Sequence, residues 1–509
     1  MARSAAQRLR SALTEFWSGE QLAYLYRMRG TEADVAPPSR AHGRWLIGTE
    51  ASELLEEIES EGELPADACA ALRAQIGAVR HALAVLPAEA ALRTALARAR
   101  LPSDIDLALP SALARIAAAD DVPYRTTAAR EIEHALRPIA AQFTAAHARA
   151  EQPLRVAREV SPGQLGAERV QPSGLLIVSL FSPEAMTTAS DLPALAWRDA
   201  ALEFLARTEA AADDAVRYCV RKSHPRGGVL PWHALLRGLR APELDSTRGA
   251  IERWPRAAAW LRKLGFSREF ASRLRAEVDR ESALPTVRVL PLKIPLDVRT
   301  AQTAIDYGVV SDVLAAGGAA HALGLSLTHP ALPAELRTPC GATASAAFGA
   351  LAAQLWGERE HLIRVQELTS LAAERVGRVA GTFFLLRARA LVALALLDAP
   401  SDQTTAARIE ATATALSAAL CCDVPAGIAG LLGADRVAAR DAALEQLAGL
   451  SLHAILCERF DVDWFRNPRC ADALRGLCER GQGLTPLAAC EELGGSLAAA
   501  AARALQLVS

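Results

Sequence analysis

Residues 314–321 read Leu-Ala-Ala-Gly-Gly-Ala-Ala-His, and this short apolar run decides how the rest of the chain is read. Alanine and leucine are the strongest helix formers, so the run is expected inside a helix, over about 313–328. Two stretches flank it. Upstream lies Pro295-Leu296-Asp297-Val298-Arg299, and downstream lies Thr343-Ala344-Ser345-Ala346-Ala347-Phe348, which opens a second small-residue helix over 341–356.

Working outward, helical periodicity covers most of the 509 residues. Residues 67–86 place Leu72, Ile76, Val79, Leu83 and Leu86 at three-to-four-residue steps behind Asp67, a favourable N-cap. Segments 88–100, 127–150, 194–221, 268–282, 358–397, 403–421 and 435–459 follow the same pattern. Thr485-Pro486 is a cap followed by proline at the first helical position. Prolines and glycines cluster between 151 and 175, where a connecting loop is expected. That loop separates an N-terminal helical lobe, 1–150, from a larger lobe, 176–509. In 285–299, strand-formers are interrupted by Pro291 and Pro295, which predicts a small β element.

Composition excludes several function classes. The formal net charge is -2, the charges are mixed along the chain and only three lysines occur, so no nucleic-acid surface is expected. The N-terminus has no apolar core behind its charges. The runs 313–328 and 341–356 fall short of a bilayer span of about 20 apolar residues. A cytoplasmic protein without a membrane segment is therefore expected. The nine cysteines include no Cys-x-x-Cys pair and predict buried free thiols. No Gly-x-Ser-x-Gly elbow, phosphate loop or dinucleotide fingerprint occurs. The basic stretch 221–228 ahead of Trp232-His233 reads as a solvated loop.

The order of these features resembles the thimet-oligopeptidase-like zinc peptidases. Their His-Glu-x-Gly-His-Ala-x-His motif falls on 314–321, with Gly317, Ala319 and His321 keeping the letters that are not metal ligands. Trp464-Phe465-Arg466-Asn467-Pro468 resembles a tryptophan–proline segment near the end of one bacterial branch. The resemblance implies an all-α, two-lobed, peptidase-like fold around a deep cleft. It also implies that the zinc ligands and general base are gone, because Leu314, Ala315, Gly318 and Ala346 stand in their places. Two histidines and a glutamate bind zinc in such enzymes, and none of these four side chains binds metal. Tyrosine and histidine side chains that stabilise the oxyanion are also missing, since no tyrosine follows Tyr307.

What the resemblance implies is then a pseudo-peptidase without metal or other cofactor, whose cleft binds a peptide or a partner protein's segment. A repurposed metal-independent enzyme of a biosynthetic pathway and a pure scaffold are the alternatives. Tyr307, His321 and His329 are the candidate cleft residues, with Asp297 and Arg299 pairing with each other or reaching the ligand. The 313–328 and 341–356 helices are expected to pack closely, because alanine and glycine replace bulky ligands on their facing sides.

Overall fold

The computed structural model describes residues 4–29, 39–101, 104–160, 194–221, 224, 229–247, 253–279, 287–303, 305–338, 341–397 and 403–508. The first part is α1 (Ala5–Met28), α2 (Ser39–Leu46), α3 (Thr49–Glu61) and α4 (Ala66–Arg98), then a short hairpin, β1 (Arg100–Leu101) and β2 (Asp104–Ala108). Next come α5 (Leu109–Ala118), α6 (Val122–Val160), α7 (Ala194–Val220), α8 (Trp232–Arg240), α9 (Arg253–Leu261) and α10 (Ser267–Ser272). A three-stranded sheet follows: β3 (Leu274–Asp279), β4 (Val287–Lys293) and β5 (Asp297–Thr303). The remainder is helical: α11 (Val309–Leu327), α12 (Ala334–Arg337), α13 (Ala344–Gln354), α14 (Arg359–Arg364), α15 (Ser370–Leu396) and α16 (Thr405–Leu420). The last five are α17 (Ala426–Leu432), α18 (Arg436–Phe460), α19 (Pro468–Cys478), α20 (Pro486–Glu492) and α21 (Ala499–Gln506). The fold is all-α apart from the short hairpin and one small three-stranded sheet.

The described apolar core is one large cluster running from Leu92 to Val508, a smaller one built from residues between Ala6 and Ala82, and a third of Leu25, Met28, Leu290 and Ala301 that joins α1 to the sheet. The first two clusters divide within α4. The helix α6 and its Phe143 belong to the larger cluster. α6 continues to Val160, so 151–160 of the expected connecting loop is helix, and 161–175 lies outside the described residues. Asp67 is not a cap: α4 starts one residue earlier behind Pro65 and runs through Pro87 to Arg98 as one helix.

The β element is larger than 285–299. The segment 268–282, expected as helix, instead leaves α10 and forms β3, because Leu274-Arg-Ala-Glu-Val-Asp279 pairs in parallel with β5. Tertiary pairing overrides the helical propensity of such a mixed run. The strand order is β3-β5-β4, with β4 antiparallel to β5. Lys222, Ser223 and Pro225–Gly228 of the basic stretch lie outside the described residues.

α11 and α13 pack on each other more extensively than any other pair of elements. α11 begins behind Gly308, whose φ is 65° and whose added Cβ would lie 2.3 Å from the Arg240 carbonyl oxygen. Only glycine meets both conditions. By length and hydropathy α11 and α15 could each cross a membrane, but 83% of the apolar window of each is buried within the fold. α13 is started by Thr343, whose Oγ1 accepts a hydrogen bond from the Ala346 N–H at 3.1 Å. Thr343→Ala should therefore cost about 1 kcal/mol of unfolding free energy. Chemical denaturation checks this, and an unchanged midpoint would show that the cap contributes nothing.

Candidate functional site

The helix α11 carries Val313, Leu314, Gly317, Gly318 and His321 on one face, at the spacing of successive helical turns. With Ala346, Gly349, Ala350 and Ala353 of α13, they wall a cavity of about 60 Å³. That volume holds only a few water molecules. α15 adds Phe383, Phe384 and Arg387, and α18 adds Ala442, Glu445 and Gln446.

Small residues bring the two central helices together. A Cβ on Gly317 would sit 3.3 Å from both Ala353 Cβ and the Gly349 carbonyl oxygen. A Cβ on Gly349 would sit 2.9 Å from the Gly317 carbonyl oxygen. Gly317 thus faces α13 as expected. Gly318 does not: its added Cβ would meet Val287 Cγ1 of β4 at 2.1 Å.

Leu314, Gly318, Ala346 and His321 are thus brought to one cavity, while Ala315 is fully buried and is not among the residues lining it. Burial pushes the His321 pKa down to about 4, so the imidazole is neutral at neutral pH. The remaining candidates are elsewhere. Tyr307 is 1% exposed in the large core, and burial pushes its hydroxyl pKa up. It is a packed core tyrosine and does not line the cavity. His329 is exposed beyond the end of α11, where its Nδ1 accepts the Ala331 N–H at 3.3 Å. Asp297 and Arg299 form a two-bond pair at 3.0 and 2.9 Å on β5, and Arg299 also binds Glu277 Oε1 of β3 at 2.8 Å. Their observed partners tie strand to strand.

Sequence reasoning missed Arg387, Glu445 and Gln446, the polar part of the cavity wall. Arg387 had a signal, as one of two charges in the apolar stretch 379–397. Glu445 Oε1 accepts the Thr343 N–H at 3.3 Å, which ties α18 to the start of α13. Gln446 Oε1 is buried with no hydrogen-bond partner among the described residues.

Catalytic zinc takes about three protein ligands and an open position. Of the residues lining this cavity only His321 and Glu445 carry ligating groups, and no trio of close ligand atoms forms here among the described residues. The donors do not fit a catalytic zinc. A Cys–His pair does exist elsewhere: Cys457 Sγ lies 3.4 Å from His453 Nδ1. Burial pushes that thiol up to about 11 and His453 well down, so neither a thiolate nor an imidazolium forms at neutral pH.

No known family signature matches the sequence, and no curated protein matches it. Solved structures do. The chain superposes on a carboxypeptidase from Pyrococcus furiosus at TM-score 0.58 and 12% identity, covering 100% of this chain and 99% of that one. An M32 carboxypeptidase from Deinococcus radiodurans R1 gives 0.55 and 13%, over 98% and 96%. The fold is that of helical metallopeptidases. A protein assigned as oligoendopeptidase F shares this metallopeptidase fold at TM-score 0.58 and 11% identity, over 92% and 82%.

Proposed function

We propose that the chain is a non-hydrolytic pseudo-peptidase that binds a peptide, or an extended segment of a partner protein, as an accessory or regulatory subunit in the cytoplasm. The observation that carries this reading is the meeting of Leu314, Gly318 and Ala346 at one cavity whose walls supply no zinc-ligand set. The wall has polar groups suited to a peptide terminus or one small polar side chain: Arg387, Glu445, Gln446 and neutral His321. Such a site recognises chain through a few convergent hydrogen bonds within an apolar enclosure.

The test is a panel of short peptides measured by fluorescence anisotropy, with peptide cleavage followed in parallel in the presence of zinc. At least one peptide should bind, none should be cleaved, and His321→Ala and Arg387→Ala should each weaken binding about ten- to a hundredfold. Zinc-dependent release of C-terminal residues would replace this reading with an active peptidase. Full affinity in both folded variants would move the ligand elsewhere and favour a scaffold. The grouping of His321, Arg387 and Glu445 supports one second reading, a metal-independent enzyme acting on a peptide-like substrate. Turnover of a bound peptide without added metal would select it.

A further inference from the structure

Away from the cavity, three helices bring His81, His147 and Asp435 together in the interior. His81 is on α4, His147 on α6, and Asp435 immediately precedes α18. Their exposures are 1%, 0% and 7%. One ligand atom from each lies within 4.8 Å of the other two. This is the only such trio among the described residues. It is independent of the cavity reading.

Local structure orients the carboxylate. Asp435 Oδ1 accepts the Ala438 N–H at 2.9 Å at the start of α18. Oδ2 is directed at the histidines, 3.8 Å from His81 Nε2 and 4.0 Å from His147 Nδ1. Both distances exceed a hydrogen bond. They approach the separation of about 3.3 Å between ligand atoms that surround one zinc ion tetrahedrally at about 2.0 Å. A second observation points the same way. Among the described residues neither ring nitrogen of His81 has a hydrogen-bond partner, although the ring is buried. Buried polar atoms are satisfied as a rule, and a bound ion supplies what the protein here does not.

We propose that His81 Nε2, His147 Nδ1 and Asp435 Oδ2 bind a divalent transition-metal cation of the zinc class, with water completing the shell. Two imidazoles and one carboxylate suit such ions and disfavour magnesium or calcium. Burial of all three side chains makes the ion structural: it ties α4 and α6 to the start of α18. Metal is thus held between helices distant in sequence, outside the place where the fold's peptidase resemblance would put it.

The probe is zinc, on the full-length chain without an affinity tag. Elemental analysis after dialysis should find close to one zinc per chain. Chelation should lower Tm and re-addition should restore it, because an ion that binds only the folded state raises its stability. His81→Gln and Asp435→Asn should each weaken zinc binding at least a hundredfold, while His321→Ala keeps it. The asparagine retains an Oδ1 acceptor for the Ala438 N–H. Should the variants fail to fold, cobalt(II) bound to the wild-type chain provides the readout. Visible d–d bands of a four- or five-coordinate N/O site support the proposal, and an octahedral spectrum overturns it. It is also overturned if the chelated wild-type chain neither takes up zinc nor changes Tm, as a plain His–Asp charge pair would behave. Loss of zinc in His321→Ala with retention in His81→Gln would place the ion in the cavity and overturn it as well.

Discussion

Between pH 7 and pH 4 the fold should lose about 3 kcal/mol of stability through His361 alone. His361 is fully buried on α14 among Trp260, Trp356 and Phe465, with ring centroids 5.4, 5.0 and 5.3 Å away. Burial pushes its pKa down to about 3, against a smaller opposing pull from the Leu355 carbonyl. The ordinary value is about 6.5. The unfolded chain therefore takes up a proton near pH 6.5, and the folded chain only near pH 3. Stability is fully present above pH 6.5 and falls with acidification by about 1.4 kcal/mol per unit until the folded-state value is reached. Carboxylates and other histidines add their own slopes, so the comparison is with His361→Phe, which keeps a ring among the aromatic neighbours. Urea unfolding at pH 7, 5 and 4 should show the two curves separating by about 3 kcal/mol in favour of the variant. Parallel curves would mean that His361 does not stay neutral in the fold.

Gly318→Leu should destabilise the fold by about 3 kcal/mol, and Gly317→Leu by about 1–3 kcal/mol. The difference comes from what each side chain meets. At 317 the first added carbon touches Ala353 and the Gly349 carbonyl at 3.3 Å, so α11 and α13 must separate for the rest of the leucine. At 318 the first carbon already overlaps Val287, at 2.1 Å, and must displace either the valine side chain or β4. A paired variant, Gly318→Leu with Val287→Gly, should recover part of the loss, because it removes the clash. Thermal or urea midpoints decide this. If both single variants unfold like wild type, the helix pair and the strand are not packed as described.

Four of the nine cavity positions on α11 and α13 were legible in the sequence because motif spacing and helical geometry are the same information. Residues 314, 318 and 321 follow at one-turn steps, and a capped small-residue helix supplies Ala346. What periodicity does not carry is the identity of the facing helix. Arg387 and Glu445 enter the cavity from α15 and α18, and no local pattern ties those segments to residue 314. The same limit hid His81, His147 and Asp435, which read as isolated polar residues in three separate helical stretches. Tyr307 misled for a different reason. Its place just before a functional-looking helix suggests a rim, whereas the Gly308 turn places it against the core. β3 was missed because Leu274 to Asp279 has no strand signature of its own and exists by pairing with β5.

The contact between Gly318 and Val287 bears on ancestry. On the proposed reading, position 318 once carried a metal-binding imidazole. Any side chain there now collides with β4, so a lineage regaining histidine at 318 must first yield at 287. Reversion by single steps passes through an intermediate that is poorly packed and still inactive, since positions 314, 315 and 346 would remain unrestored. Selection has nothing to favour along that route. On that reading Val287 acts as a ratchet against the return of a metal ligand at 318.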